Sequence, residues 1–167
     1  SGNRHHATGS FVFDEQTLSF TGQGQTDNTF PYDRMFFVEF VIRRQGDTAE
    51  QVLLIGGGNK CNFAFYGYAG LCRGTGYGSS VSFRGNEMAA AYFDMPNKKS
   101  WKNGILQTTT SHDALNQYSS KLQIGRYTPS GNYPFKGKWY SVRIHSRVLT
   151  EDEIAHNFSV DKERFGL

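Results

Sequence analysis

The chain has 167 residues, 37% of them apolar, and a net charge of +3 with acidic and basic residues mixed along its length. That size suits one domain with a sizeable core, while the dispersed charge excludes the clustered Lys and Arg footprint of a nucleic-acid binder. No apolar run approaches a membrane span, so membrane insertion is not expected either; the high aromatic (15%) and Gly (19 residues) content favours strands and turns over helices.

The opening stretch SGNRHHATGS lacks a starting Met, and the chain reads as a mature fragment or excised domain. Residues 1–9 are expected to be disordered or foreign to the domain, and one domain is expected over 10–167. His5 and His6, on this polar terminus, read as surface residues rather than a metal pair. FVFDEQTLSF then alternates Phe11, Phe13, Leu18 and Phe20, and MFFVEFVIRR (35–44) is the strongest strand signal, β-branched, aromatic and nearly continuous. QVLLIGGG (51–58) and NFAFYGY (62–68) follow. Gly56, Gly57 and Gly58 read as a turn, because GGGNK lacks the spacing of a phosphate-binding loop.

Cys61 and Cys72 flank NFAFYGYAGL. A tight turn at Tyr66-Gly67 would set them opposite each other across a hairpin, where a secreted protein could bridge them. Two buried thiols fit the same residues. SSVSFRG (79–85) and EMAAAYFDM (87–95) continue the pattern; the aromatics and the Met95-Pro96 step make the Ala run a strand. In SWKNGILQT, Asn103-Gly104 is the preferred pair for a type I′ turn, which places Lys102 opposite Ile105 and Trp101 opposite Leu106. KLQIGRY (121–127) and KWYSVRIHSR (138–147) complete about eight to ten strands with turn signals every ten residues or so, the signature of an all-β sandwich or barrel. One helix follows. Thr150 and Glu153 form a capping box, Glu151 and Asp152 favour the positive end of the dipole, and Ile154 and Phe158 share a face. A stub of about two turns is expected, marginal alone and therefore docked on the sheet.

The C-terminal stretch GKWYSVRIHSRVLTEDEIAHNF resembles the closing signature of laminin-G-like jelly rolls of the concanavalin A-like lectin/glucanase superfamily. The pieces that carry the resemblance are Gly137, Val142-Arg143-Ile144, Arg147, Leu149-Thr150, Glu153-Ile154 and Asn157-Phe158, with MFFVEF, KNGILQ and LQIGRY in matching order upstream. His145 stands where that pattern has Tyr, and Trp139 where it has an aliphatic residue. The resemblance implies a two-sheet antiparallel jelly-roll β-sandwich with a C-terminal helix. It leaves function open, because the fold hosts lectins, glycosidases and adhesion modules alike.

The superfamily's retaining glucanases carry two acids on one strand, Glu-x-Asp-x-x-Glu, aimed into a cleft. Here Glu39 is flanked two residues away by Phe37 and Val41, Glu87 and Asp94 are too far apart, and Glu151 and Glu153 fall at the helix start. His112, His145 and His156 lack a nucleophile motif such as GxSxG. No enzyme is expected, and a glycoside hydrolase ranks below two other readings. The first is a carbohydrate-binding module of a secreted or cell-surface bacterial protein, part of a larger multidomain protein, whose partner is a glycan or glycoprotein. The second is an adhesion or protein-interaction module with no sugar site.

Sugar faces stack on aromatic rings while Asn, Asp and Arg bond the hydroxyls. The loop GRYTPSGNYPFKG (125–137) offers that mix in Arg126, Tyr127, Asn132 and Tyr133; the competing reading is that the two tyrosines cover the end of the core. Tyr68 and Tyr77, around a Gly-rich run, and Trp101 on its hairpin are further candidates, although pairing with Leu106 favours core packing for Trp101. No cofactor is called for. The resemblance leaves room for a rim calcium, for which Asp27, Asp33 and Asp113 lie in expected loops.

Overall fold

A computed structural model describes residues 6–30, 34–46, 51–56, 61–66, 70–73, 81–83, 85–107, 121–127 and 130–167. Among them lie strands β1 (Ala7–Asp14), β2 (Ser19–Thr26), β3 (Phe37–Arg44), β4 (Gln51–Gly56), β5 (Cys61–Tyr66), β6 (Gly70–Arg73), β7 (Val81–Ser82), β8 (Met88–Asp94), β9 (Lys99–Lys102), β10 (Ile105–Leu106), β11 (Gln123–Ile124) and β12 (Gly137–His145), then helix α1 (Glu151–Phe165). The strands pair antiparallel in the order β10-β9-β8-β3-β12-β2-β11-β4-β5-β6-β7, with β1 on β2. This continuous sheet curls into the two layers of an all-β sandwich. β10 to β12 form one layer and β11 to β7 the other, and rings meet between them: Phe63 of β5 packs on Phe40 of β3 and Phe93 of β8, each at 5.2 Å.

The central strand explains the layering. In FVEFVIRR, alternation sends Val38, Phe40 and Ile42 into the inter-layer core and Phe37 and Val41 to the other side. That other side is also buried, because α1 covers it with Ile154 and Phe158. A strand covered on both faces reads as a continuous apolar run, as this one does. In β8, Ala89 and Ala91 face the core and Ala90 faces the helix side, so the Ala run is a strand as expected.

The Asn103-Gly104 hairpin forms with the expected register and positive φ at both turn residues (49° and 77°). Its tip packs against the helix, since a Cβ on Gly104 would come within 3.0 Å of the Phe158 ring. The Thr150 capping box is present, but α1 is 15 residues long, twice the expected stub, and ends at Gly166 in the left-handed conformation. The inward face continues through Asp161 to Phe165, whose ring meets Tyr140 at 5.5 Å. A charged residue at an inward position broke the apolar periodicity that would have signalled the extra turns.

A bulge at Tyr140 in β12 shifts the register between Trp139 and Ser141. Trp139 and Val142 therefore both face the core side despite their odd spacing. β2 changes partners along its length: Phe20 lies opposite Trp139 of β12, and Gln25 opposite Gln123 of β11. It thus ties the two layers together. β1 lies so close along it that a Cβ on Gly22 (φ 118°) would run into the Ser10 carbonyl, and one on Gly9 into that of Gln23.

Two expectations need correction. β1 begins at Ala7, inside the segment expected to lie outside the domain, because Ala7, Thr8 and Gly9 pair with Thr26, Gln25 and Gly24. In the β5–β6 hairpin, Tyr66 pairs with Gly70 rather than turning at Tyr66-Gly67, so Cys72 lies opposite Ala64. Cys61 is displaced from that pairing by three positions, about 10 Å along a strand, which the backbone must overcome before a disulfide could close.

Gly22→Ala is expected to lower the unfolding free energy by more than about 3 kcal/mol, through the steric clash added to the φ penalty. Gly46→Ala, also at positive φ (74°) but with nothing within 4 Å, should cost only about 1–2 kcal/mol. Urea denaturation of the pair checks this difference.

Candidate functional site

On β2 the sequence Gly22-Gln23-Gly24-Gln25 sorts its residues by face. Phe20 and Thr26 turn inward, and the two glutamines turn to the opposite, outer side. Their cross-strand neighbours on β1 are Ser10 and Thr8, both exposed. On β11, Gln123 lies opposite Gln25 and donates from Nε2 to its Oε1 at 2.9 Å. The Gln123 Oε1 in turn accepts from Arg126 Nε at 3.0 Å. A ladder of side-chain amides therefore runs across two strands and ends at a guanidinium.

The loop after β11 folds over this ladder. Gly125, at φ 69°, donates its N–H to Leu53 O at 2.7 Å and lies so near β2 that a Cβ would meet Gly22 O at 2.7 Å. Tyr127 N–H donates to Asn132 O at 2.8 Å, Phe135 N–H to Gly125 O at 2.9 Å, and Val52 N–H to Tyr133 O at 3.0 Å. A Cβ on Gly131 would come within 3.3 Å of the Gln23 amide nitrogen, and the Gln23 Oε1 is buried with no hydrogen-bond partner among the described residues.

These bonds bring together Arg126, Tyr127, Asn132 and Tyr133, the four loop residues singled out from the sequence. The two tyrosines differ. Tyr127 packs on Val52 and Ala64 and does cover a small cluster, while Tyr133 stands on it edge to face at 5.8 Å and remains 48% exposed. Asn132 is exposed beside it. Gln23, Gln25 and Gln123 were missed from sequence; the alternation in GQGQ was the available signal.

Other candidates separate from this patch. Trp101 is 4% exposed, 6.0 Å from Phe37 beneath the helix, and offers no open ring to a ligand. Tyr68, Tyr77, Asp33 and Asp113 lie outside the described residues, as does His112. Asp27 is exposed at the end of β2, its N–H donating to His6 O at 2.9 Å.

Four of the acids weighed for catalysis have side-chain partners. Glu39, 1% exposed, accepts from Arg143 Nε at 2.7 Å, from Asn157 Nδ2 at 2.9 Å and bonds His145 Nε2 at 2.8 Å. Arg143 also binds the buried Asp161 with both terminal nitrogens. Burial would raise the Glu39 carboxyl, but the His145 bond and the Arg143 charge and bond outweigh it and hold the group below its ordinary value of 4.5. Glu87 pairs with Lys102 at 2.8 Å, and Asp94 caps the turn at Asn97. Glu153 bonds Arg147 and the Thr150 N–H, which together bring its carboxyl down to about 2.

No family model matches the chain, and no curated protein matches it in sequence. Solved structures do match in fold. The binding domain of Botulinum Neurotoxin DC in complex with SialylT has a TM-score of 0.65 at 12% identity, over 94% of this chain and 46% of that one. This chain thus spans about half the length of that toxin structure. Domain 4 of AbnA, a GH43 extracellular arabinanase from Geobacillus stearothermophilus, in complex with arabinotriose, scores 0.60 at 13% identity over 93% and 81%. The Ruminococcus gnavus IT-sialidase CBM40 bound to alpha2,3 sialyllactose scores 0.53 at 20% identity over 73% and 81%. At these identities the likeness establishes the β-sandwich fold.

Glu39→Gln is expected to lower stability at pH 7 by about 1.5–3 kcal/mol, because the charge-assisted bonds from Arg143 and Asn157 to the carboxylate are lost while Asp161 still neutralises Arg143. A depressed folded pKa contributes stability that is complete above the unfolded value near 4.5 and is lost as pH falls through the folded value. Wild-type stability should therefore decline more steeply below about pH 4.5 than that of Glu39→Gln, as denaturation at a series of pH values will read.

Proposed function

We propose that this domain is a non-catalytic glycan-binding module of a secreted or cell-surface bacterial protein, with the sugar seated on Arg126, Tyr127, Asn132 and Tyr133 and the amide ladder beside them. The observation that carries this reading is the Tyr133 ring: exposed, set edge to face on Tyr127, next to the exposed Asn132, with Arg126 preceding Tyr127 and bonded to the amide ladder. A pyranose laid on that ring meets a π-face for its C–H groups and amide and guanidinium groups for its hydroxyls. Short polar side chains on β1 and β2 extend the surface for a second residue of an oligosaccharide. The structural partnering of Glu39, Glu87, Asp94 and Glu153 supports a binding rather than a hydrolytic role. Fold neighbours whose structures contain sialyllactose or arabinotriose accord with it.

A broad glycan array should yield saturable binding to a defined sugar class. Tyr133→Ala and Arg126→Ala should each weaken that binding about tenfold, in line with about 1–1.5 kcal/mol for an aromatic or polar contact, with unchanged melting temperature. Silence across the array would favour the protein-interaction reading, and hydrolysis of the bound sugars would overturn the non-catalytic assignment.

A further inference from the structure

β1 lies at a rim of the sheet. It pairs with β2 along its whole length and, among the described residues, with no strand on its other side. The register says which main-chain groups face that open side. Asp27 N–H donates to His6 O at 2.9 Å, and hydrogen-bonded pairs recur at every second residue of an antiparallel ladder. The N–H and C=O groups of Thr8, Ser10, Val12 and Asp14 are thus directed at β2, and those of Ala7, Gly9, Phe11 and Phe13 point away from it. The Thr8 and Ser10 carbonyls do lie against Gly24 and Gly22 of β2, as this phase requires.

An open edge is normally blunted by Lys, Pro, a bulge or shortness. Ala7–Asp14 has none of these: eight residues, ATGSFVFD, hold unbroken register with β2, and Val12 and Phe13 are 68% and 61% exposed. Only another strand matches such a row of donors and acceptors, and the sequence fits one strand in particular, its own. A two-fold axis at Ser10 sets Ala7 opposite Phe13 of a second copy and Gly9 opposite its Phe11, the register that engages every outward-directed residue of β1. On the inner face it opposes large to small. The exposed Phe13 ring comes against Ala7, which lines the apolar opening between the layers. Phe11, whose ring lies across Gly24 of β2, meets Gly9, which needs no room. On the outer face Ser10 meets Ser10, Thr8 meets Val12, and His6 meets the carboxylate of Asp14.

We infer that β1 is a self-association edge: two copies of the chain join antiparallel through Ala7–Phe13 about a two-fold axis at Ser10, making one sheet continuous across a dimer. The pairing adds about eight main-chain hydrogen bonds. A single strand pair is a small interface, so the dimer is weak and reversible, with a Kd of roughly 100 μM. The axis stands perpendicular to the sheet, so the outer faces of the two copies, each with its amide ladder, lie on the same side. The inference does not depend on the glycan reading.

Sedimentation of the purified protein from roughly 5 μM to roughly 1 mM should show a reversible monomer–dimer equilibrium and no larger species. Phe13→Lys puts a charge at an exposed edge position and should weaken the dimer at least about tenfold with melting temperature retained. Ser10→Cys reads the register independently. Residues opposed in a non-hydrogen-bonded pair have Cα atoms about 4.5 Å apart, within reach of a disulfide, so mild oxidation should link two Ser10→Cys copies. Thr8→Cys, about 13 Å along the strand from its own counterpart, should stay unlinked; the parent chain controls for Cys61 and Cys72. A protein that stays monomeric throughout would overturn the assignment and leave the edge to a strand of a different protein. So would a dimer indifferent to Phe13→Lys, or one linked as readily through Thr8→Cys as through Ser10→Cys.

Discussion

Arg143 is held between two buried carboxylates, Glu39 on the central strand and Asp161 on the helix, and the position of α1 depends on that clamp. Apolar contact alone would let a helix slide or rotate on a sheet at little cost. Removing either carboxylate unties one end of the clamp and leaves the guanidinium paired with the other alone, and removing Arg143 leaves two buried acids without their shared counter-charge. The clamp thus trades a desolvation cost for a single docking register. Tyr92, opposite Glu39 in register, keeps its phenol neutral there, its pKa raised by burial and by the charges of Asp161 and Glu39. With the helix so fixed, the outer side of β3 and β8 is closed; the β1–β2 side of the sandwich is organised differently.

That side is built on one local pattern. β2 alternates small or apolar residues inward with glutamines outward, and its two ends pair with different layers. One strand therefore separates a hydrogen-bonding face from the apolar side lined by Phe11, Phe20 and Val142. The glycines let β1 press against it, which is how two short strands form a thin partition between unlike environments.

Much of the architecture was legible in the sequence because it follows from short-range rules. FVEFVIRR, the Asn-Gly turn and the Thr150 capping box each state their conformation within a few residues. What depended on partners far along the chain was not legible. Asp161 reads as a helix breaker of the apolar pattern until Arg143 is placed opposite it. Trp101 leans toward core by its pairing with Leu106, but only the helix laid over it rules out a stacking platform. The offset between Cys61 and Cys72 turns on the number of residues in one turn, and Gln25 and Gln123 become a ladder only once β2 and β11 are neighbours. The four loop residues of the candidate patch were visible from composition; the difference between a covered Tyr127 and an open Tyr133 required packing.

Tyr133 has a backbone φ of 51°, in a region that side-chain-bearing residues occupy at a cost and that glycine or asparagine would adopt more readily. The chain holds it there by tying its carbonyl to Val52, next to a neighbour, Asn132, better suited to that geometry. Glycine at this position would relax the loop and remove the ring. The unfavourable conformation thus sets the aromatic face during folding; for the glycan proposed to stack there, part of the ordering entropy would already have been met.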